Sequence, residues 1–184
     1  MTNDAETAAR RSPGLFRRSG WRLRAVLPTV PQLLLGTPTW GMLMAASALI
    51  TLLLREGQAT FQLTKILVLF FAGGAMAWPF SLFLGRFFAL DRRIETRVAA
   101  YFLFLTVLTI AATAFLFAMD YRLFYERWHA PFGTRIWLYQ FVFTTGAAAY
   151  QFVVMGIRLY LPFGLVALAG TSLWLAKRPH DMQR

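Results

Sequence analysis

Polar positions in this chain are gathered into short seams, and between the seams lie apolar stretches about as long as a bilayer is thick. A hydrocarbon core of about 30 Å takes roughly 20 helical residues. On that spacing the pattern predicts helical spans at about 39–54, 63–84, 98–119, 136–157 and 161–176. The fold class expected is an all-α integral membrane protein, a small polytopic bundle of five transmembrane helices. The alternative is four spans plus a re-entrant or surface helix. Residues 136–176 are long enough for about two crossings, with Arg158 and Pro162 near the middle, so a turn at Arg158-Leu159-Tyr160 is expected there.

The boundaries follow from local chemistry. Pro28, Pro31 and Pro38 favour a first span that starts after the last of them. Arg55-Glu56-Gly57-Gln58 ends it. Gly41, Ala45 and Ala48 form a small-residue stripe that admits another helix closely. Gly73 and Gly74 fall in the middle of the second span, and Pro79 predicts a kink near its end. The 120–135 stretch is hydrophilic but carries Tyr121, Phe124, Tyr125, Trp128 and Phe132, the rings of an interfacial belt, and reads as a short surface helix. The domain plan is therefore a basic, partly disordered cytoplasmic tail with an interfacial segment (1–32), a transmembrane helical domain (33–178) and a short tail (179–184).

Composition sharpens this picture. Of 184 residues, 58% are hydrophobic, against about 45–50% in a typical soluble domain, which fits a chain whose solvent is lipid. The chain has no cysteine, which excludes disulfides, thiolate metal sites, iron–sulfur clusters and cysteine nucleophiles. A net charge of +11 would suggest nucleic acid in a soluble protein. Here the basic residues sit in the tail and between the apolar runs, where anionic headgroups meet them, and no nucleic-acid motif is present. Arg17, Arg18, Trp21, Arg22 and Arg24 are expected to contact lipid headgroups.

Orientation follows from the distribution of Lys and Arg. With five spans and the N-terminus inside, eleven basic residues fall inside and eight outside; if the last segment re-enters, the split becomes fourteen to five. The expected location is a bacterial cytoplasmic membrane, multi-pass, with the N-terminus cytoplasmic. The expected partners are anionic lipids and other membrane subunits or a second copy of the chain.

Two polar stripes are the candidate functional positions. Gln140, Thr144, Gln151 and Arg158 lie within about 40° on one helical face, and Thr106, Thr109, Thr113 and Asp120 within about 60° on another. Such stripes avoid lipid, so they are expected to face each other. In an antiparallel pair Asp120 would meet Arg135 and Gln140, and Arg158 would pair with Glu95. The stripes read first as interhelical glue and second as a ligand or ion path. The chain lacks phosphate-binding loops, HExxH, GxSxG and kinase signatures. His129 and His180 lie outside the spans, so neither a metal nor a cofactor is expected. The function expected is that of a non-catalytic accessory, assembly or scaffolding subunit of a larger membrane complex. The alternative is a small oligomeric transporter or channel lined by the two stripes.

Overall fold

The computed structural model of the chain describes residues 26–56 and 62–178. The tail residues Arg17, Arg18, Trp21, Arg22 and Arg24, and His180, lie outside the described residues. Among those described, every regular element is helical: α1 (Val30–Glu56), α2 (Leu63–Ala89), α3 (Ile94–Tyr125), α4 (Arg135–Gln151) and α5 (Phe163–Lys177). A 3₁₀ turn, Glu126–Trp128, follows α3. Beyond α4 the chain stays helical but changes pitch, through a π segment at Phe152–Gly156 and a 3₁₀ segment at Ile157–Tyr160. Val30–Arg55, Leu63–Ala89, Ile94–Trp128 and Arg135–Tyr160 are long and apolar enough to cross a bilayer; α5, with 15 residues, is shorter. The protein is a small helical membrane bundle.

Several boundaries differ from the sequence expectation. α1 begins at Val30 and runs through Pro31 and Pro38. Pro31 sits in the first turn, where its missing N–H has no partner to lose. Pro38 is interior, and a membrane helix accommodates it when nearby groups take up the freed backbone. α3 extends two turns past the expected end, to Tyr125, so the ring-rich stretch is largely a continuation of this helix instead of a separate surface helix. Its rings pack on each other along the helix, with Tyr121 and Tyr125 centroids 4.7 Å apart.

α2 packs between α1 and α3, and glycines set how closely. A Cβ placed on Gly41 would come within 2.7 Å of the Phe71 carbonyl, and one on Gly74 within 3.1 Å of Gly41 Cα. A Cβ on Gly73 would come within 2.0 Å of Thr113 Oγ1 and 2.8 Å of Thr113 Cα. Without hydrophobic drive between helices in lipid, such backbone approach supplies the van der Waals contact that holds them. Trp40, Met44, Phe70, Leu82, Leu105 and Phe152 form the buried centre.

The path of α4 departs most from the expected antiparallel hairpin. The Arg122 guanidinium lies 4.6 Å from the Phe141 ring centroid, and Phe117 and Phe152 centroids are 6.0 Å apart. Phe141 and Phe152 are separated by about 16 Å of helix rise, whereas Arg122 and Phe117 are separated by only about 7.5 Å. α4 therefore crosses α3 obliquely and stays near the end of the bundle where α3 finishes. Tyr160 reaches only as deep as Thr113. α5 then runs the remaining depth alone, antiparallel to α3. It starts beside Ser47 of α1, which lies 3.2 Å from a Cβ built on Gly164, and ends where Arg97 Nη2 donates to the Arg178 carbonyl at 2.9 Å. The start of α1 and the end of α5 thus lie at the same end of the bundle, with Arg86, Arg92, Arg93, Arg97, Lys177 and Arg178.

Candidate functional site

Four side chains from α1, α3 and the 3₁₀ segment form one buried hydrogen-bonded chain. The Trp40 indole N–H donates to Thr109 Oγ1 at 3.0 Å. Thr113 Oγ1 donates to the Thr109 carbonyl at 2.9 Å and lies 2.7 Å from the Tyr160 hydroxyl. A threonine hydroxyl has one proton; since Thr113 gives its proton to the backbone, Tyr160 is the donor to Thr113. Thr109 and Thr113 are buried, and the Tyr160 ring lies against Phe70 with centroids 4.8 Å apart.

The α4–α5 break leaves carbonyls without intrahelical partners, and α1 answers them. Ser47 Oγ donates to the Leu159 carbonyl at 3.2 Å and Thr51 Oγ1 to the Leu161 carbonyl at 3.1 Å. Non-helical backbone at membrane depth requires such partners. On α2, Ser81 Oγ shares its proton between the Ala77 carbonyl at 2.8 Å and the Phe104 carbonyl at 3.2 Å.

The two predicted stripes do not face each other. Thr109 and Thr113 turn to α1 and the 3₁₀ segment. Thr106 donates to its own helix, at the Phe102 carbonyl. Asp120 forms a 2.8 Å ion pair with Lys65 of α2, not a contact with Arg135 or Gln140. Gln140 Oε1 accepts from Ala130 N–H at 2.8 Å, and Thr144 Oγ1 lies 3.4 Å from His129 Nε2. Gln151 and Arg158 are exposed, and among the described residues their side chains have no polar partner, so the expected Arg158–Glu95 ion pair does not form. The oblique course of α4 is the physical reason: a helix that crosses α3 meets it at one place, so a stripe on each cannot match along the length.

A second feature has no counterpart in the sequence reading. Between α1 and α5, at the end that carries Arg178, lies a cleft of about 470 Å³, within the roughly 300–1,000 Å³ of small-molecule sites. Its floor is the Trp40–Trp78 pair, ring centroids 5.8 Å apart. The Trp78 N–H is used at the Gln32 carbonyl, 3.1 Å away, as the Trp40 N–H is at Thr109. Both rings therefore offer only carbon to the cleft. Leu35 and Leu43 of α1 and Trp174 of α5 make the flanks. At the mouth stand Gln32, whose Oε1 accepts from Arg86 Nη2, and Arg178, whose guanidinium lies 3.6 Å from the Trp174 ring centroid. The tryptophans were visible in sequence, but nothing there brings residues 32–43 to 170–178.

Comparison with known protein families, curated proteins and solved structures gives no match. Among the described residues no three His, Asp or Glu side chains converge, and the hydroxyls of Ser47, Thr51, Ser81, Thr113 and Ser172 donate to backbone carbonyls.

Proposed function

We propose that the chain is a non-catalytic, multi-pass protein of a bacterial cytoplasmic membrane that serves as an accessory, assembly or scaffolding subunit of a larger complex. The observation that carries this reading is the outer face of α4. Tyr139, Phe143 and Tyr150 are 66%, 74% and 71% exposed, and Gln151 is exposed beside them. Gln151 adjoins Phe152, which packs on Phe70 and Phe117 within the apolar depth of the bundle. An unpaired amide facing hydrocarbon is costly, so a helix of a partner subunit that hydrogen-bonds Gln151 relieves that cost. Transport has weaker support, because the α3 threonines that would line a path are taken up in packing.

Orientation is part of the proposal. Six tail arginines precede α1, and Arg86, Arg92, Arg93, Arg97, Lys177 and Arg178 share the end at which α1 starts. Elsewhere are Arg55, Lys65, Arg122, Arg127, Arg135 and Arg158. With Arg184, which follows Arg178 in the chain, that makes thirteen basic residues against six, which favours a cytoplasmic N-terminus by the positive-inside rule.

The test is a photocrosslinking residue at Tyr150 or Phe143, activated in native membranes, with Leu103 of α3 as the control site. The expected result is one crosslinked species of fixed mass from the α4 sites and none from Leu103. Only lipid adducts from α4, with a monomer in mild detergent, would defeat the subunit reading. Retained liposome flux in Gln151→Leu and Arg158→Leu would dispose of the transport alternative.

A further inference from the structure

We propose that the α1–α5 cleft is a binding site for one anionic glycerophospholipid of the surrounding bilayer, its acyl chain on the Trp40–Trp78 floor and its phosphate at Arg178. This does not rest on the subunit reading.

Three observations point to that occupant. The cleft is lined mainly by carbon, and its flank is continuous with the lipid-facing surface, since Leu35 is 72% and Leu43 40% exposed. A ligand that reaches it from the side is therefore a bilayer component. The space is real rather than a loose contact: a Cβ built on Gly170, in the α5 wall, meets no atom within 4 Å. The third observation is charge. The Arg178 guanidinium rests on the Trp174 ring and has no carboxylate partner among the described residues. Arg97 and Lys177 stand at the same end, and Arg97 is tied to the Arg178 backbone. An arginine at the mouth of an apolar groove, at headgroup level, is complementary to a phosphate whose chains run into the groove.

The pieces divide the work of recognition. Stacking on Trp174 holds the guanidinium plane and leaves its N–H edges to a phosphate. Gln32, held by Arg86 and by Thr29 N–H at 3.2 Å, keeps the opposite side of the mouth in place. Gly170 leaves room for a chain, and Gly36 lets the Trp78 ring lie against α1 as the floor, since a Cβ there would come within 2.5 Å of that ring.

The experiment uses the full chain in phosphatidylcholine vesicles. Tryptophan quenching is recorded as brominated-chain phosphatidylglycerol or brominated-chain phosphatidylcholine is mixed in. The expected result is half-quenching at a mole fraction roughly fivefold lower for phosphatidylglycerol, the ratio that about 1 kcal/mol at one basic residue gives. Arg178→Gln is expected to bring the ratio close to one. Gly170→Leu puts a side chain into the cleft from a position whose Cβ meets nothing within 4 Å, and is expected to abolish the tight phase for both lipids, with helix content unchanged by circular dichroism. If Gly170→Leu unfolds the chain, native mass spectrometry of the parent and of Arg178→Gln titrated with each lipid reads the same preference. Equal quenching by the two lipids in the parent, or an unchanged ratio in Arg178→Gln, overturns the proposal. So does competition by inorganic phosphate alone, which would make the site one for a free anion.

Discussion

The Tyr160 hydroxyl donates to Thr113 Oγ1 across 2.7 Å and so ties the end of the oblique fourth segment to the middle of α3. Because Thr113 also bonds the Thr109 carbonyl, and Thr109 accepts from Trp40, this one contact links α1, α3 and the α4–α5 break. Hydrogen bonds between membrane helices average about 0.6 kcal/mol in coupling energy. A double-mutant cycle of Tyr160→Phe and Thr113→Val, followed by unfolding in mixed micelles, is expected to give about that coupling or somewhat more. Thr145 is the contrast: its Oγ1 is buried with no partner, so Thr145→Val loses no bond and leaves stability unchanged or raised. Zero coupling between Tyr160 and Thr113 would mean that the contact holds nothing.

Glycine at position 73 is a requirement of packing. The atoms that a new Cβ would meet include Thr113 Cα, which moves only if α3 moves. Gly73→Ala is expected to destabilise by about 1–3 kcal/mol, the cost of overpacking. Gly146, in α4, has nothing within 4 Å of its Cβ position. Gly146→Ala gains helix propensity and is expected to be neutral or stabilising by up to about 1 kcal/mol. Equal effects at the two sites would contradict the close approach of α2 and α3.

Lys65, at the start of α2, and Asp120, near the end of α3, form an ion pair with side chains 54% and 39% exposed. Pairs this open are worth about 0.2–1 kcal/mol and are screened by salt. Asp120→Asn is expected to cost less than about 1 kcal/mol at low ionic strength, and less still in high salt. A larger, salt-insensitive loss would place the pair in a drier setting than its exposure indicates.

The course of α4 has a direct topological consequence. The chain has no native cysteine, so single cysteines report their own access to a membrane-impermeant maleimide. Glu95→Cys and Lys177→Cys are expected to label from one face of the membrane and Arg127→Cys from the other. Five straight spans put Lys177 opposite Glu95. Labelling of Lys177→Cys and Glu95→Cys from opposite faces would refute the oblique path.

Sequence periodicity was enough to identify helices that belong in lipid, because bilayer thickness acts on every span separately and leaves its length in the chain. It also placed Gly41 at a helix contact, and Thr109 and Thr113 on a face turned from lipid, since a polar or small residue among apolar ones has few other uses. Helix ends were less legible: Pro38 and the Asp120–Tyr125 turn look like boundaries locally, yet the helices pass through both.

What tertiary structure alone decided was the partner of each polar group. Helical arithmetic gives the angle of a residue about its own axis and says nothing of where that axis lies. Once α4 crosses α3 obliquely, Asp120 meets Lys65, Tyr160 meets Thr113, and Ser47 and Thr51 meet main-chain carbonyls that carry no side-chain signature. The cleft arises in the same way. Its walls come from the two ends of the chain, and only the descent of α5 beside α1 brings them within one acyl chain of each other.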